Sequence, residues 1–238
     1  MSGILYIISA PSGSGKSTLV NELRKFVPGL GFSISYTTRP PRGSEQNGRE
    51  YHFISRQQFE EMIGRGEFLE HAEVFGNYYG TAKSVLEEAR RRGNDVLLDI
   101  DVQGERQVKE KMPDAVSIFV LPPSRAELES RLRKRSMSEN VRSEEVIRRR
   151  LDTARREIEN YPNYDYILVN DRLEQSVDRL QAIVLGERFQ RSGKPLSSEE
   201  LRYLEAGEKC LKSNMEEQIR SILASFDVSF PTAIESQR

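Results

Sequence analysis

A short apolar run, ILYIIS, meets the glycine-containing loop SAPSGSGKST at residues 9–18, and a helical pattern, LVNELRKFV, follows at once. A buried strand that turns straight into a helix is a hallmark of α/β sheets, so this stretch constrains the architecture more than any other. Gly13 and Gly15 permit a turn whose N–H groups point inward as an anion nest. The following helix aims the positive end of its dipole at the same point. Lys16 adds a point charge suited to β- and γ-phosphates, and the Ser17 hydroxyl suits Mg²⁺. The stretch departs from G-x-x-x-x-G-K-[ST] only at Ala10, which takes the first glycine position with another small residue. A glycine-rich turn that merely contains a lysine is the bland alternative. With G-K-S-T intact between strand and helix, the loop Ala10, Pro11, Ser12, Gly13, Ser14, Gly15, Lys16, Ser17 and Thr18 reads as a nucleoside triphosphate site.

The rest of the chain alternates short apolar runs with amphipathic ones. FSISYT, DVLLDID, AVSIFVL and YDYILVN read as further strands, the more continuous of them suited to burial on both faces of a sheet. Phe59, Met62 and Ile63 mark one helix, and Val85, Leu86 and Ala89 a second. Ile147, Leu151, Ala154 and Ile158 stripe a third at spacings of four, three and four. The expected fold is therefore α/β, a P-loop-type, mostly parallel sheet flanked by helices. A net charge of −1 argues against bulk nucleic-acid binding, and the single cysteine, Cys210, rules out an intrachain disulfide and fits a reducing cytoplasm. The first apolar run ends at Pro11, far short of the ~20 residues a membrane span needs, so no signal peptide or membrane helix is expected.

A phosphate loop alone fits motors, switches and kinases alike. The stretches SYTTRPPR, GREYHF, GEFLEHAEV, GNYYGT, LLDIDVQG and ILVND, in that order after the loop, are more specific. Over about residues 3–185 the chain resembles the guanylate kinases, which move a phosphoryl group from ATP to GMP. Arg39 and Arg42 flank two prolines that stiffen the turn, so both guanidiniums could face one phosphate, and Tyr51 and Tyr79 could donate phenolic hydrogen bonds to it. The resemblance implies that these four grip the GMP phosphate; a surface turn with solvated arginines is the alternative.

Guanine presents N1–H and N2–H₂ as donors beside the O6 acceptor, so a selective pocket needs a carboxylate next to a hydroxyl. Matched to the family motif, Glu70 takes the donors and Ser35 and Thr81 reach O6. Asp101 completes the guanine side, and Asp99 sits near metal and phosphates. Capping the helix beginning VQGERQ is a competing role for Asp101, and the two roles are compatible. The resemblance also implies Asn170 at the ATP site, Mg²⁺ carried by Ser17, water and the nucleotide phosphates, and dGMP as a second acceptor. No general base is needed, because a phosphate monoester with a second pKa near ~6 is mostly dianionic at neutral pH. Charge neutralisation and in-line placement are the requirement, with Lys16, Arg39, Arg131, Arg135 and Arg150 as the expected catalytic cations.

By the same resemblance residues 1–186 form the kinase domain, with a GMP-binding insert at about 35–83 and a mobile lid at about 126–150. Many lid arginines could instead be solvated or paired with Glu129, Glu144 and Glu145. Two departures stand out: the lid segment 136–142 is longer than the usual glycine-containing turn, and residues 187–238 form a charged helical extension that the family does not explain. Ser197 or Ser198 is its candidate N-cap, and Leu201, Leu204, Ile219, Ile222 and Leu223 could pack on the core or on a second copy, making a homodimer one candidate assembly. Two other readings compete: a nucleoside monophosphate kinase of different base choice, and a non-enzymatic guanylate-kinase-like module that binds phosphopeptides.

Overall fold

In the computed structural model the described residues are 3–74, 76–138 and 143–230. The elements run β1 (Leu5–Ser9), α1 (Lys16–Phe26), β2 (Leu30–Phe32), β3 (Tyr36–Thr37), β4 (His52–Phe53), α2 (Arg56–Gly64), β5 (Phe68–Val74), β6 (Asn77–Ala82), α3 (Lys83–Arg92), β7 (Asp95–Asp99) and α4 (Val102–Lys111). They continue with β8 (Val116–Leu121), α5 (Arg125–Ser138), α6 (Glu144–Ile158), β9 (Tyr166–Val169), α7 (Leu173–Ser192), α8 (Ser198–Glu208) and α9 (Lys212–Ser225). Two compact units result. One combines Met1–Ser9 with Pro28–Ser117, the other Ala10–Val27 with Ile118–Arg238.

In the first unit β7 lies between β2 and β1, all parallel, with Ile8 opposite Asp99 and Phe32 opposite Leu97. Helices α3 and α4 cover these strands, and Leu5, Ile7, Leu69, Leu86, Val96, Leu98, Ile100 and Val108 share one apolar core. Alternation puts Leu5 and Ile7 on the same face, which is why both reach it. A second sheet follows the order β4-β3-β6-β5, with β3–β4 parallel and the other pairs antiparallel. Phe59 of α2 stacks on Phe68 and Tyr78, ring centroids 4.3 and 5.2 Å apart, and fastens α2 to that sheet.

FSISYT is not one strand. Phe32 closes β2, and β3 begins only at Tyr36, in the other sheet. The backbone changes partner within three residues: Ser33 donates to the Leu97 carbonyl, whereas the Ser35 carbonyl accepts from His52. An apolar alternation reads continuously across such a switch, because both sheets bury alternate residues.

In the second unit β8 and β9 pair in parallel from Ile118–Tyr166 to Leu121–Val169. The α6 stripe is as expected, with Ile147, Leu151, Ala154 and Ile158 all buried. Helix α7 packs on α1, β9 and α8 and runs continuously across residue 187 until Gly193 ends it in a left-handed conformation. The extension is helical as expected: Ser197 caps α8 in a capping box with Glu200. Ile219, Ile222 and Leu223 are buried, while Leu201 stays exposed. A β contact that the sequence does not announce joins them. Leu211 forms an antiparallel bridge to Tyr166, with Ile167 donating to the Cys210 carbonyl and Lys212 to that of Asp165.

Candidate active site

The phosphate loop belongs to the second unit and passes from Ala10 into α1. Gly13 and Gly15 have φ of 93° and 89°, a region that a side chain rarely tolerates. Gly15 stands at the N-cap of α1 with no side-chain capping hydrogen bond, and the first turn carries no acidic residue to oppose an anion. Ser17 and Thr18 are exposed on that turn and Lys16 is half-buried. The loop is held from behind. Asn170, just after β9, donates through Nδ2 to the Ser14 carbonyl at 2.7 Å, and a Cβ at Gly15 would sit 2.4 Å from that nitrogen.

Arg131 is placed at the same carbonyl. It donates to the Ser14 oxygen at 3.3 Å, to the Asn170 oxygen at 3.1 Å and to Glu127 at 2.8 Å. Arg135 is exposed and Arg150 half-buried; Arg133 meets Glu129 at 2.7 Å and Glu144 at 2.5 Å and so ties α5 to α6. Of the long lid segment 136–142, residues 139–142 lie outside the described residues.

The first unit assembles the other group of expected residues. Glu70 on β5 faces Thr81 on β6 because those two positions pair in register. The carboxylate is 3% exposed, and burial, with the Asp101 charge adding to it, pushes its pKa up to about 7. The Thr81 hydroxyl is buried and makes no hydrogen bond of ordinary geometry, although hydroxyl and amide lie close enough to the carboxylate to oppose that rise. Helix α4 packs against β5 beside this pair. Asp101 caps it, accepting from the Gln103 and Gly104 amides at 3.1 and 2.8 Å, so the capping role is realised beside Glu70 rather than instead of proximity to it. A Cβ at Gly104 would approach Glu70 Oε2 to 2.6 Å, so only glycine lets the helix come this close. Gln107 exchanges hydrogen bonds with the His71 backbone, and Lys111 donates to the Leu69 carbonyl. These contacts fix α4 along β5. Ser35 is buried, while Asp99 and Asp101 are half-buried.

Arg39 is 6% exposed and Arg42 lies at the surface. The guanidinium of Arg39 stands 4.8 Å from the Tyr51 ring centre, and the Tyr51 and Tyr79 rings meet edge to face at 6.0 Å. The sequence reading missed Glu45. Its carboxylate binds Arg39 through two parallel hydrogen bonds of 2.6 and 2.8 Å and also accepts from the Arg42 amide. This pairing raises the Arg39 pKa and lowers that of Glu45. A carboxylate six residues beyond Arg39, across a Pro-Pro turn, was the available signal. Glu45→Ala would leave a buried guanidinium without its counter-ion and is expected to lower stability by roughly 1–3 kcal/mol. Thermal unfolding checks this, and an unchanged midpoint would show that the pair contributes nothing in solution.

Similarity to known proteins covers both units. The guanylate kinase family model matches residues 2–187. The chain is 62% identical over 226 residues to the guanylate kinase of Koribacter versatilis (strain Ellin345), covering 95% of this chain and 97% of that one. It is 49% identical over 192 residues to the guanylate kinase of Escherichia coli (strain K12), covering 80% and 91%. Among solved structures, the crystal structure of guanylate kinase from Anaplasma phagocytophilum superposes with a TM-score of 0.65 at 36% identity, covering 78% of this chain and 86% of that one.

Proposed function

The chain belongs to the guanylate kinase family, and from that premise we infer that it transfers the γ-phosphoryl group of ATP to GMP, giving ADP and GDP. A phosphate oxygen of GMP forms a bond to Pγ as the bond from Pγ to the β–γ bridging oxygen breaks, and the electron pair leaves with ADP. The observation that carries the base choice is the buried pair of Glu70 and Thr81. A buried carboxylate with a buried hydroxyl beside it matches the donor edge and O6 of guanine. Adenine has the opposite polarity there, and a buried polar site rejects a mismatched base by about 10⁴ or more.

The loop amides and Lys16 hold the β- and γ-phosphates of ATP, and Asn170 keeps the loop in shape. Arg39, Arg42, Tyr51 and Tyr79 grip the GMP phosphate, with Ser35, Asp99 and Asp101 completing that side. Arg131, Arg135 and Arg150 neutralise charge from the lid at about 126–150. Among the described residues no group of three His, Cys, Asp or Glu could hold a metal. The exposed Ser17 hydroxyl suits an ion that arrives with the nucleotide. Mg²⁺ so bound would supply charge neutralisation at the β- and γ-phosphates.

We assign dGMP as a second acceptor, the cytoplasm and purine nucleotide metabolism as the setting, a homodimer as the candidate assembly, and no nucleic-acid or membrane partner. Residues 1–186 are read as the kinase domain with its insert at 35–83, and 187–238 as an extension; the family match ends at residue 187. The test is ADP formation from ATP and Mg²⁺ with GMP, dGMP, AMP, CMP, UMP and dTMP offered in turn. Turnover confined to GMP and dGMP is the expected result. Binding of GMP with no phosphorylation would favour a phosphopeptide-binding module, and turnover of another nucleotide a different kinase.

A further inference from the structure

The first amides of a helix have no partner within it. In α5 the Ser124 hydroxyl accepts from the Glu127 amide at 3.1 Å, which satisfies the third helical position but not the first, Arg125. That amide donates to the Ser225 hydroxyl, one hundred residues later, at 3.1 Å. Ser225 is the last residue of α9, and its hydroxyl also donates to the Ile222 carbonyl at 2.7 Å. One hydroxyl thus serves a free acceptor at the end of α9 and a free donor at the start of α5.

The surrounding turn is built to hold that hydroxyl in place. Phe226 and Val228 are buried beside Leu223, and Val228 donates back to the Leu223 carbonyl while Asp227 donates to that of Ala224. Asp227 takes the left-handed position of this cap, φ 56°, where glycine is usual. Its carboxylate stands 3.5 Å from the Arg125 guanidinium, at the positive end of α5. The turn thus meets α5 through this ion pair as well as through the Ser225 hydroxyl.

What α5 carries gives the contact its consequence. Arg131, six residues and about 9 Å along the helix, binds the Ser14 carbonyl of the phosphate loop. Leu128 and Leu132 are fully buried, and a Cβ at Gly13 would come within 2.9 Å of Leu132. Helix and loop are packed side by side and joined by Arg131, so an axial shift of α5 moves the group that holds the loop. We propose that Ser225, supported by Asp227, is a positioning residue for ATP: the extension beyond residue 187 sets the N-terminus of α5, and α5 sets Arg131 against the phosphate loop. This rests on the kinase reading above.

The test compares wild type, Ser225→Ala and Ser225→Thr in the full chain, measuring kcat, KM for ATP and KM for GMP, with ATP affinity titrated directly. Ser225→Ala is expected to raise KM and Kd for ATP about 3- to 10-fold while KM for GMP stays within twofold, and Ser225→Thr, which keeps the hydroxyl, to restore most of the loss. A double-mutant cycle with Arg131→Ala is expected to show the Ser225 effect largely absent in the Arg131→Ala background. Unchanged ATP parameters, an equal loss for both substrates, or full additivity with Arg131→Ala would each overturn the proposal. If Ser225→Ala does not fold, Asp227→Asn tests the same anchor: a selective rise in KM for ATP supports it, and an unchanged KM overturns it. Absence of GMP phosphorylation by wild type would instead sink the kinase reading, and the titrated Kd for ATP would still decide the anchor.

Discussion

Lys16→Ala is expected to lower kcat by about 10²–10³-fold while GMP still binds. The phosphoryl group carries dispersed negative charge in the transition state, and a cation preorganised beside it contributes a few kcal/mol that water does not replace. Lys16 opens α1 with no acidic neighbour in the first turn, so its charge and the helix dipole act in the same direction. The residues proposed for GMP lie in the first unit, whereas Lys16 belongs to the second. Steady-state kinetics with calorimetric GMP binding would check both halves. Near-normal turnover would remove the phosphate loop from the mechanism, and a loss of GMP binding as large as the loss of turnover would point to unfolding.

The second large effect concerns Glu70. Glu70→Gln replaces an acceptor with a group that presents N–H donors to the donor edge of guanine, and KM for GMP is expected to rise about 100-fold with selectivity over AMP reduced accordingly. The native pocket adds a pH dependence. Because burial holds the free carboxyl near pH 7, guanine must bind to the minority ionised form in acid. KM for GMP is therefore expected to fall about tenfold per unit as pH rises towards 7 and to level off above it. Titration of the GMP phosphate near ~6 affects wild type and Glu70→Gln alike, so the difference between their profiles isolates the carboxyl. Superimposable profiles would refute the assignment.

The same burial makes a stability prediction of opposite sign. The folded pKa of Glu70 is raised from 4.5 to about 7, so the stability associated with its protonated form is complete below pH 4.5 and is lost as pH rises through 7. At pH 8 the ionised, unliganded carboxylate costs the fold on the order of 3 kcal/mol. Glu70→Gln should accordingly unfold at a higher temperature than wild type at pH 8 and at nearly the same temperature at pH 5. A recognition group that destabilises the empty protein is a familiar exchange of stability for function.

Local chemistry determined what could be read without tertiary structure. The phosphate loop was legible because its demands are contiguous: glycines that reach positive φ, a helix end left uncapped by Gly15, a lysine and a hydroxyl within nine residues. The α6 stripe was legible because a helix repeats one spacing, and Ser197 because a cap acts on its own first turn. Glu70, Thr81 and Asp101 were named through a family resemblance, since nothing in their spacing says that β5 and β6 place two of them face to face or that Gly104 admits α4 against the carboxylate. Only the tertiary structure decided that FSISYT divides between two sheets, that Glu45 holds Arg39, and that Leu211 bridges to β9. The link from Ser225 to Arg125 belongs with these. Hydrogen bonds and ion pairs between distant segments depend on where whole elements pack, and a one-dimensional pattern encodes the burial of each element but not the partner it meets.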